Sequence, residues 1–310
     1  MRAMLPLVVL VVAALAGVIV WLVYATTHPP ARPYIVTPDS FQQLSERGLS
    51  ATDETWQLSN GTAARGWLLR GKQSAPAVIF LHPYGGNRSY FLNLGIKLNE
   101  ATNFTVLWID ARGHGAESPT GGSSFGTREA GDIAAAATFL RTLTTRNGEP
   151  LTGGNIGIYG VEMGAYTALV AAADNPGVRV LVLDSVITSP GELLDTALAA
   201  RTGLTDPISR FLAGAGARLY FVGNFPGATA CEAAAKIGAQ RVLLLAGADA
   251  GALQASTRQL QGCFPTASRI EQHLELPLTG FRVASANSVE AETYDRRVIE
   301  FFDRTLRDDQ

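Results

Sequence analysis

The sequence has few histidines and cysteines and almost no net charge. Its 310 residues include four histidines and two cysteines, and the formal net charge is −2. A near-neutral chain has no electrostatic attraction for nucleic acid, so no such partner is predicted. Neither Cys231 nor Cys263 has a histidine or a second cysteine at zinc-ligand spacing. The sequence therefore predicts no metal site and no cofactor.

The chain has one long apolar run, and it lies at the N-terminus. Residues 5–25 are 21 residues without a charge, enough to cross the roughly 30 Å hydrocarbon core of a bilayer as a helix. A secretory signal peptide has a shorter apolar stretch, of about 7–15 residues. We therefore predict a transmembrane anchor over residues 1–26. Cleavage after Val-Tyr-Ala at 23–25 is the alternative.

The charges beside this run indicate its orientation. Arg2 and the α-amino group precede it, whereas Arg32, Asp39 and Glu46 follow it, and the positive-inside rule then favours a cytoplasmic N-terminus. We predict a single-pass protein whose globular domain is periplasmic or extracellular, with the Pro-rich residues 27–48 as a stiff spacer that lifts the domain off the membrane. In such a domain Cys231 and Cys263 would form a disulfide, while two buried thiols are the alternative.

Beyond residue 48, short apolar runs alternate with helical stretches. Runs this short and continuously apolar are typical of strands buried on both faces. They are found at 77–82, 105–110, 155–160, 179–184 and 241–246, and helices are predicted at 90–100, 128–146, 163–173, 229–237 and 290–307. This alternation predicts one α/β domain over 49–308, with a mostly parallel sheet flanked by helices. Residues 190–226 interrupt it and predict a small helical cap.

Motifs that follow these strands carry a family resemblance. Residues 82–87 read His-Pro-Tyr-Gly-Gly-Asn, and residues 110–115 read Asp-Ala-Arg-Gly-His-Gly. Residues 160–164 read Gly-Val-Glu-Met-Gly, and the strand at 241–246 ends in Gly247. In this order they resemble the oxyanion loop, the loop after the next strand, the nucleophile elbow and the acid-bearing strand of the α/β-hydrolase superfamily. The serine aminopeptidase-like and acyl-esterase-like members are the most similar.

The resemblance implies a role for each motif. Gly160 and Gly164 would form a sharp strand-to-helix elbow, on which the family places a nucleophilic serine and this chain places Glu162. The backbone N–H groups of Tyr84 and Met163 would form the oxyanion hole. The family uses the other polar residues of the two loops structurally, and here these are His82, Asp110, Arg112 and His114.

The partners of the missing serine are also altered. By resemblance the triad acid would stand at Ala250, and Asp249 is one residue early. The triad histidine would stand near Asn287, in the loop before the last helix. His273 comes one strand too early. Ser–His–acid catalysis needs a base within hydrogen-bond reach of the nucleophile, and the sequence provides none at the matching position.

Three roles for Glu162 follow from this position. A helix N-terminus favours a carboxylate, so Glu162 would fold back and fill the oxyanion hole. Haloalkane dehalogenases and epoxide hydrolases of this fold use an elbow aspartate as nucleophile, but they also need a histidine. A carboxylate at the base of a pocket would also hold a cationic ligand. We predict a non-catalytic pseudo-hydrolase that binds a small molecule or a protein; the alternative is an ester or amide hydrolase using Glu162 and Asp249.

Overall fold

The computed structural model describes residues 4–34, 36–115, 121–265, 269–283 and 288–307. Eight strands form one sheet in the order β1-β2-β4-β3-β5-β6-β7-β8. The strands are β1 (Thr52–Gln57), β2 (Ala63–Leu69), β3 (Ala75–Leu81), β4 (Thr105–Ile109), β5 (Thr152–Val161), β6 (Val178–Asp184), β7 (Arg241–Gly247) and β8 (Arg269–Leu276). Strands β3 to β8 pair in parallel, whereas β1 and β2 pair antiparallel to their neighbours.

Helices cover both faces of this sheet. They are α1 (Leu5–Thr27), α2 (Phe41–Leu44), α3 (Leu92–Thr102), α4 (Glu129–Thr142), α5 (Met163–Ala173), α6 (Pro190–Thr202), α7 (Pro207–Tyr220), α8 (Ala230–Ala234), α9 (Ala252–Leu260), α10 (Gly280–Val283) and α11 (Val289–Arg307). Successive side chains of a strand point to opposite faces, yet Val78 and Ile79 are both fully buried. The predicted fold, a mostly parallel sheet flanked by helices, is therefore confirmed.

The two antiparallel strands were not apparent from apolar runs. Strand β1 is polar except for Trp56, its only buried residue, and it forms one edge of the sheet. Edge strands face solvent on one side, so they lack the continuous apolar run that marks a central strand. Strand β2 contains Arg65 and Gly66, and these two residues interrupt its apolar run.

The apolar helix α1 is exposed in its N-terminal part and buried near its C-terminal end. It is long and apolar enough to span a membrane, and its side chains from Leu5 to Val12 are exposed. Near its C-terminal end Leu22 and Val23 are buried, because this end packs against α6 and α7. These two helices occupy most of residues 190–226, the segment predicted to form a cap.

The segment after α1 does not separate the helix from the domain. The Asn87 side chain donates to the Arg32 carbonyl at 3.0 Å, and Tyr34 donates to Asp110 Oδ2 at 2.7 Å. The backbone N–H of Ser123 donates to the carbonyl of Thr27 at 2.7 Å. These hydrogen bonds tie the described part of the segment to loops of the domain. That it also holds the domain off a membrane stays a prediction.

The two cysteines form a disulfide between the helical segments that precede and follow β7 in the chain. Cys231 lies in α8, and Cys263 lies just after α9. Their Sγ atoms are 2.06 Å apart and their Cα atoms 5.1 Å apart. The structure therefore answers the question that the sequence left open in favour of the bridge.

Candidate functional site

The elbow keeps a strained turn at the residue that carries the carboxylate. Glu162 joins β5 to α5 with φ 54° and ψ −111°. Residues other than glycine rarely adopt these backbone angles. A Cβ at Gly160 would lie 2.4 Å from the backbone of Gly164, and one at Gly164 would lie 2.4 Å from the Leu81 carbonyl oxygen. Both positions therefore need glycine, since strand and helix approach too closely there for a side chain.

The Glu162 carboxylate turns back onto the backbone amides beside it. The Tyr84 N–H donates to Glu162 Oε2 at 2.8 Å, and the Met163 backbone also lowers the pKa of the carboxyl. These are the two amides that the sequence assigns to the oxyanion hole. The arrangement is the one expected if Glu162 fills that hole itself.

Burial affects the charge of this carboxyl group. Burial raises the pKa of Glu162 to about 7, although the amides of Tyr84 and Met163 lower it in part. A carboxyl with that pKa is partly protonated at neutral pH. The site therefore holds a group that gains or loses a proton near pH 7.

The two histidines nearest the elbow in the sequence motifs brace loops. His82 Nδ1 is 2.8 Å from the Pro83 carbonyl oxygen, and its Nε2 accepts the Ala111 N–H at 3.0 Å. His114 Nδ1 is 2.8 Å from the Arg112 carbonyl oxygen. Burial lowers the pKa of His114 to about 3. Both rings are therefore neutral at pH 7, and each has a nitrogen held by backbone.

The charged residues of the second loop also make internal pairs. Arg112 forms a bidentate pair with Asp132, with both N···O distances at 2.5 Å. Asp110 Oδ1 accepts the Arg88 N–H at 2.7 Å. The Arg88 guanidinium lies over the rings of Tyr34 and Trp67. These contacts fix the loop, as bidentate and charge-assisted bonds do.

Asp249 is bonded to groups other than a histidine. It lies in a short 3₁₀ turn after β7. Its Oδ2 is 3.2 Å from Arg282 Nε and 3.3 Å from Thr279 Oγ1. The position predicted for a histidine, Asn287, lies outside the described residues. Among the described residues, the charged partner of Asp249 is therefore the guanidinium of Arg282, which cannot accept a proton.

A second carboxylate, Asp184, lies at the end of β6 and was not singled out by the sequence. It is fully buried. Its Oδ2 accepts from Tyr294 Oη at 2.5 Å and from the Gly280 N–H at 2.6 Å, and its Oδ1 accepts from Ser185 Oγ at 2.6 Å. These donors occupy the carboxylate, whose pKa burial nevertheless raises. Tyr294 and Gly280 are remote in sequence, so no local motif indicated this network.

Among the described residues, neither of the other two histidines is hydrogen-bonded to Glu162. His273 lies on β8, three strands from β5, which at about 4.8 Å per strand is roughly 14 Å across the sheet. His28 stacks on Tyr24, and its Nδ1 is 2.9 Å from Thr27 Oγ1. Among the described residues, no cluster of three or more His, Cys, Asp or Glu is arranged to hold a metal ion.

The end of α1 lies against the same site, which the sequence did not indicate. Tyr84, whose amide binds Glu162, donates its hydroxyl to the carbonyl of Thr26. Ser123, whose hydroxyl lies 3.5 Å from Met163 Sδ, donates its N–H to Thr27. The helix that would enter a membrane therefore contacts two residues that themselves touch the elbow.

Comparison with known proteins agrees with this architecture. The family model described as "alpha/beta hydrolase fold" matches residues 76–218. An esterase of Pyrococcus furiosus is similar with a TM-score of 0.63 and 18% identity, over 90% of this chain and 100% of that one. Dienelactone hydrolase from Anabaena variabilis is similar with a TM-score of 0.54 and 16% identity, over 83% of this chain and 99% of that one.

One curated relative is similar in sequence. The mouse sn-1-specific diacylglycerol lipase ABHD11 is 30% identical over 145 residues, which are 45% of this chain. The chain thus spans 43% of the length of that relative. Together with the sheet order and the elbow, these likenesses show that the chain has the α/β-hydrolase fold, and they support the α/β-hydrolase superfamily as its family.

Proposed function

We propose that this protein is a membrane-anchored, non-catalytic pseudo-hydrolase of the α/β-hydrolase superfamily that binds a small molecule or a protein through the former active-site region or the cap. The observation that carries the proposal is the bond from the Tyr84 N–H to Glu162 Oε2 at 2.8 Å. Acyl transfer needs such donors free for the oxyanion of the transition state. Here a carboxylate of the chain itself uses them.

The lack of an activated nucleophile supports the same proposal. A serine or carboxylate nucleophile needs a histidine nearby, to activate it or to activate the water that releases the product. His82 and His114 each contact a backbone carbonyl, and Asp249 is paired with Arg282. None of these described groups forms a nucleophile–base pair with Glu162.

The anchor and the disulfide support the proposed location. Helix α1 is long and apolar enough to cross a bilayer, and Arg2 precedes it. The bridge between Cys231 and Cys263 is a kind of bond that persists outside the cytoplasm. We therefore propose a single-pass protein whose folded domain is periplasmic or extracellular.

The pKa of Glu162 favours one alternative, a hydrolase with an unconventional site. General acid–base catalysis is most effective when the pKa of the group lies near the working pH, and that of Glu162 is about 7. In this alternative Glu162 would release the amides when substrate binds and act as base toward an ester or amide. The alternative requires that Glu162→Gln abolish turnover.

Ester hydrolysis by the full chain distinguishes the two. We would measure release of p-nitrophenol from a short-chain ester by native protein, Glu162→Ser and Glu162→Ala in detergent micelles. The proposal predicts that native protein and Glu162→Ala are equally silent while both show the same circular dichroism. Turnover by native protein that Glu162→Ala loses would contradict the proposal and establish the alternative.

A further inference from the structure

The cap has an exposed apolar surface. Beyond residue 27, six large apolar side chains of the described residues are exposed, and five of them lie between residues 208 and 222. Of these five, the four most exposed are Ile208 at 72%, Phe211 at 69%, Leu219 at 77% and Val222 at 81%. We call these four residues the cap stripe. Apolar side chains exposed singly are ordinary, but a cluster on one element indicates a contact surface.

Three residues of the cap stripe lie on one face of α7, and Val222 follows the C-terminal end of the helix. Relative to Ile208, Phe211 and Leu219 are 3 and 11 residues further on, which are close to whole numbers of turns at 3.6 residues per turn. The opposite side carries Ala213 and Ala217, which are fully buried. Helix α7 is thus amphipathic in an unusual sense, because its small residues face the domain and its large apolar residues face outward.

The same helix packs directly on the helix that is apolar enough to span a membrane. A Cβ at Gly216 of α7 would lie 2.6 Å from Val23 Cγ2 and 2.7 Å from Ile19 Cγ2. The backbone of α7 therefore touches α1 at this level. Helix α7 therefore lies beside the part of α1 that contains Ile19 and Val23.

The length of α1 fixes the depth of this contact. About 20 residues of helix cross the hydrocarbon core, so a helix that enters the core at Leu5 leaves it near residue 25. Ile19 and Val23 then lie about 3–9 Å below the boundary, at 1.5 Å per residue. Gly216, which packs on both, lies at the same depth. Amphipathic helices at membrane surfaces are buried about 5–10 Å deep, and the depth derived for Gly216 is similar.

We propose that the cap stripe of α7 is embedded in the acyl chains of the bilayer that α1 spans, so that the cap is a second membrane-binding element. The occupant of this surface is lipid. Arg218, exposed at the edge of the stripe, extends its charge toward the headgroups, as long basic side chains do. Since Thr26 of α1 accepts the Tyr84 hydroxyl, this insertion holds the elbow at the membrane boundary.

The depth of labelled side chains in a bilayer tests the inference, which rests on the proposed anchoring by α1. The native cysteines are bridged, so an added cysteine is the one free thiol for a nitroxide label. The full chain in phosphatidylcholine vesicles carries the label at Leu219→Cys or, independently, at Phe211→Cys. Val289→Cys is the control, because Val289 is 80% exposed but lies on α11. Val12→Cys, within α1, reports the depth of the anchor.

Relaxation by dissolved oxygen, which concentrates in lipid, is compared with relaxation by a water-soluble nickel chelate. We expect the oxygen-to-nickel ratio at positions 219 and 211 to be several-fold higher than at 289 and to approach that at 12. A ratio at 219 and 211 equal to that at 289, with a high ratio at 12, would overturn the embedded cap and leave the anchor intact. A low ratio at all four positions would overturn both.

Discussion

The two sides of the candidate site, the elbow with Glu162 and the turn with Asp249, differ in how closely they match the α/β-hydrolase motifs. On the nucleophile side the turn is intact, with Glu162 at φ 54° and the amides of Tyr84 and Met163 in place. On the acid side Asp249 lies in the turn after β7 but is paired with Arg282. The backbone of the elbow is therefore that of the α/β-hydrolase fold, whereas among the described residues Asp249 pairs with an arginine and not with a histidine.

This difference reflects what holds each side in place. The elbow is fixed by the close approach of β3, β5 and α5, which leaves no room for a Cβ at Gly160 or Gly164. Any replacement there disturbs the packed core. A proton-transfer chain depends on a few side chains that bear little on packing. Such residues are free to change while the fold stays as it is, so a hydrolase fold alone does not imply hydrolase activity.

The largest effect is expected from adding a methyl group on the nucleophile side. Gly164→Ala places a Cβ 2.4 Å from the Leu81 carbonyl oxygen, a backbone atom that cannot move alone. We expect a loss of about 3 kcal/mol or more in the free energy of unfolding. Urea unfolding of the full chain in micelles measures it. The matched control is Gly131→Ala in α4, because the added Cβ would have no other atom within 4 Å. For this variant we expect the free energy of unfolding to rise by up to about 1 kcal/mol.

The next effect depends on pH and comes from the carboxyl group of Glu162. Its pKa rises from 4.5 to about 7 on folding, so the folded protein holds the proton more tightly than the unfolded chain. Its contribution to stability is complete below pH 4.5 and is lost as the pH rises through 7. The total change is at most about 3 kcal/mol, at 1.36 kcal/mol for each pKa unit.

Glu162→Gln isolates this contribution, because glutamine resembles the protonated acid at every pH. We expect native protein and variant to unfold at similar urea concentrations at pH 4.5 and the variant to be the more stable at pH 8. Other buried acids with raised pKa, such as Glu129 and Asp184, contribute equally to both proteins. A difference independent of pH would show that the carboxylate is not destabilised by burial.

A smaller effect is expected on the acid side. Tyr294→Phe removes the hydroxyl that donates to Asp184 Oδ2 at 2.5 Å and lies 2.8 Å from Tyr159 Oη. Asp184 keeps the Gly280 and Ser185 donors, so we expect a loss of about 1–3 kcal/mol, since a buried partner is left less well satisfied. Thermal unfolding measures it. A variant as stable as native protein would show that this network does not support the sheet.

The same contrast explains how much the sequence predicts. The five apolar runs correspond to β3 to β7, and Glu162 joins β5 to α5, because local pattern and turn glycines determine both. The polar edge strand β1 was missed, since its stability comes from pairing with β2. The packing of Thr26 against Tyr84 was also missed, because no sequence pattern records a contact between segments so far apart.

The smallest effect is expected where the acid side meets solvent. Arg282 is about two-thirds exposed in its pairing with Asp249, and exposed ion pairs contribute about 0–1 kcal/mol. Arg282→Ala should therefore change the urea midpoint little. It should also leave the ester assay silent, because freeing Asp249 supplies no base to Glu162. Measurable turnover by Arg282→Ala, absent again in the double variant with Glu162→Ala, would show that the ion pair suppresses a working site. The acid side would then differ from a hydrolase by a single contact rather than by a missing residue.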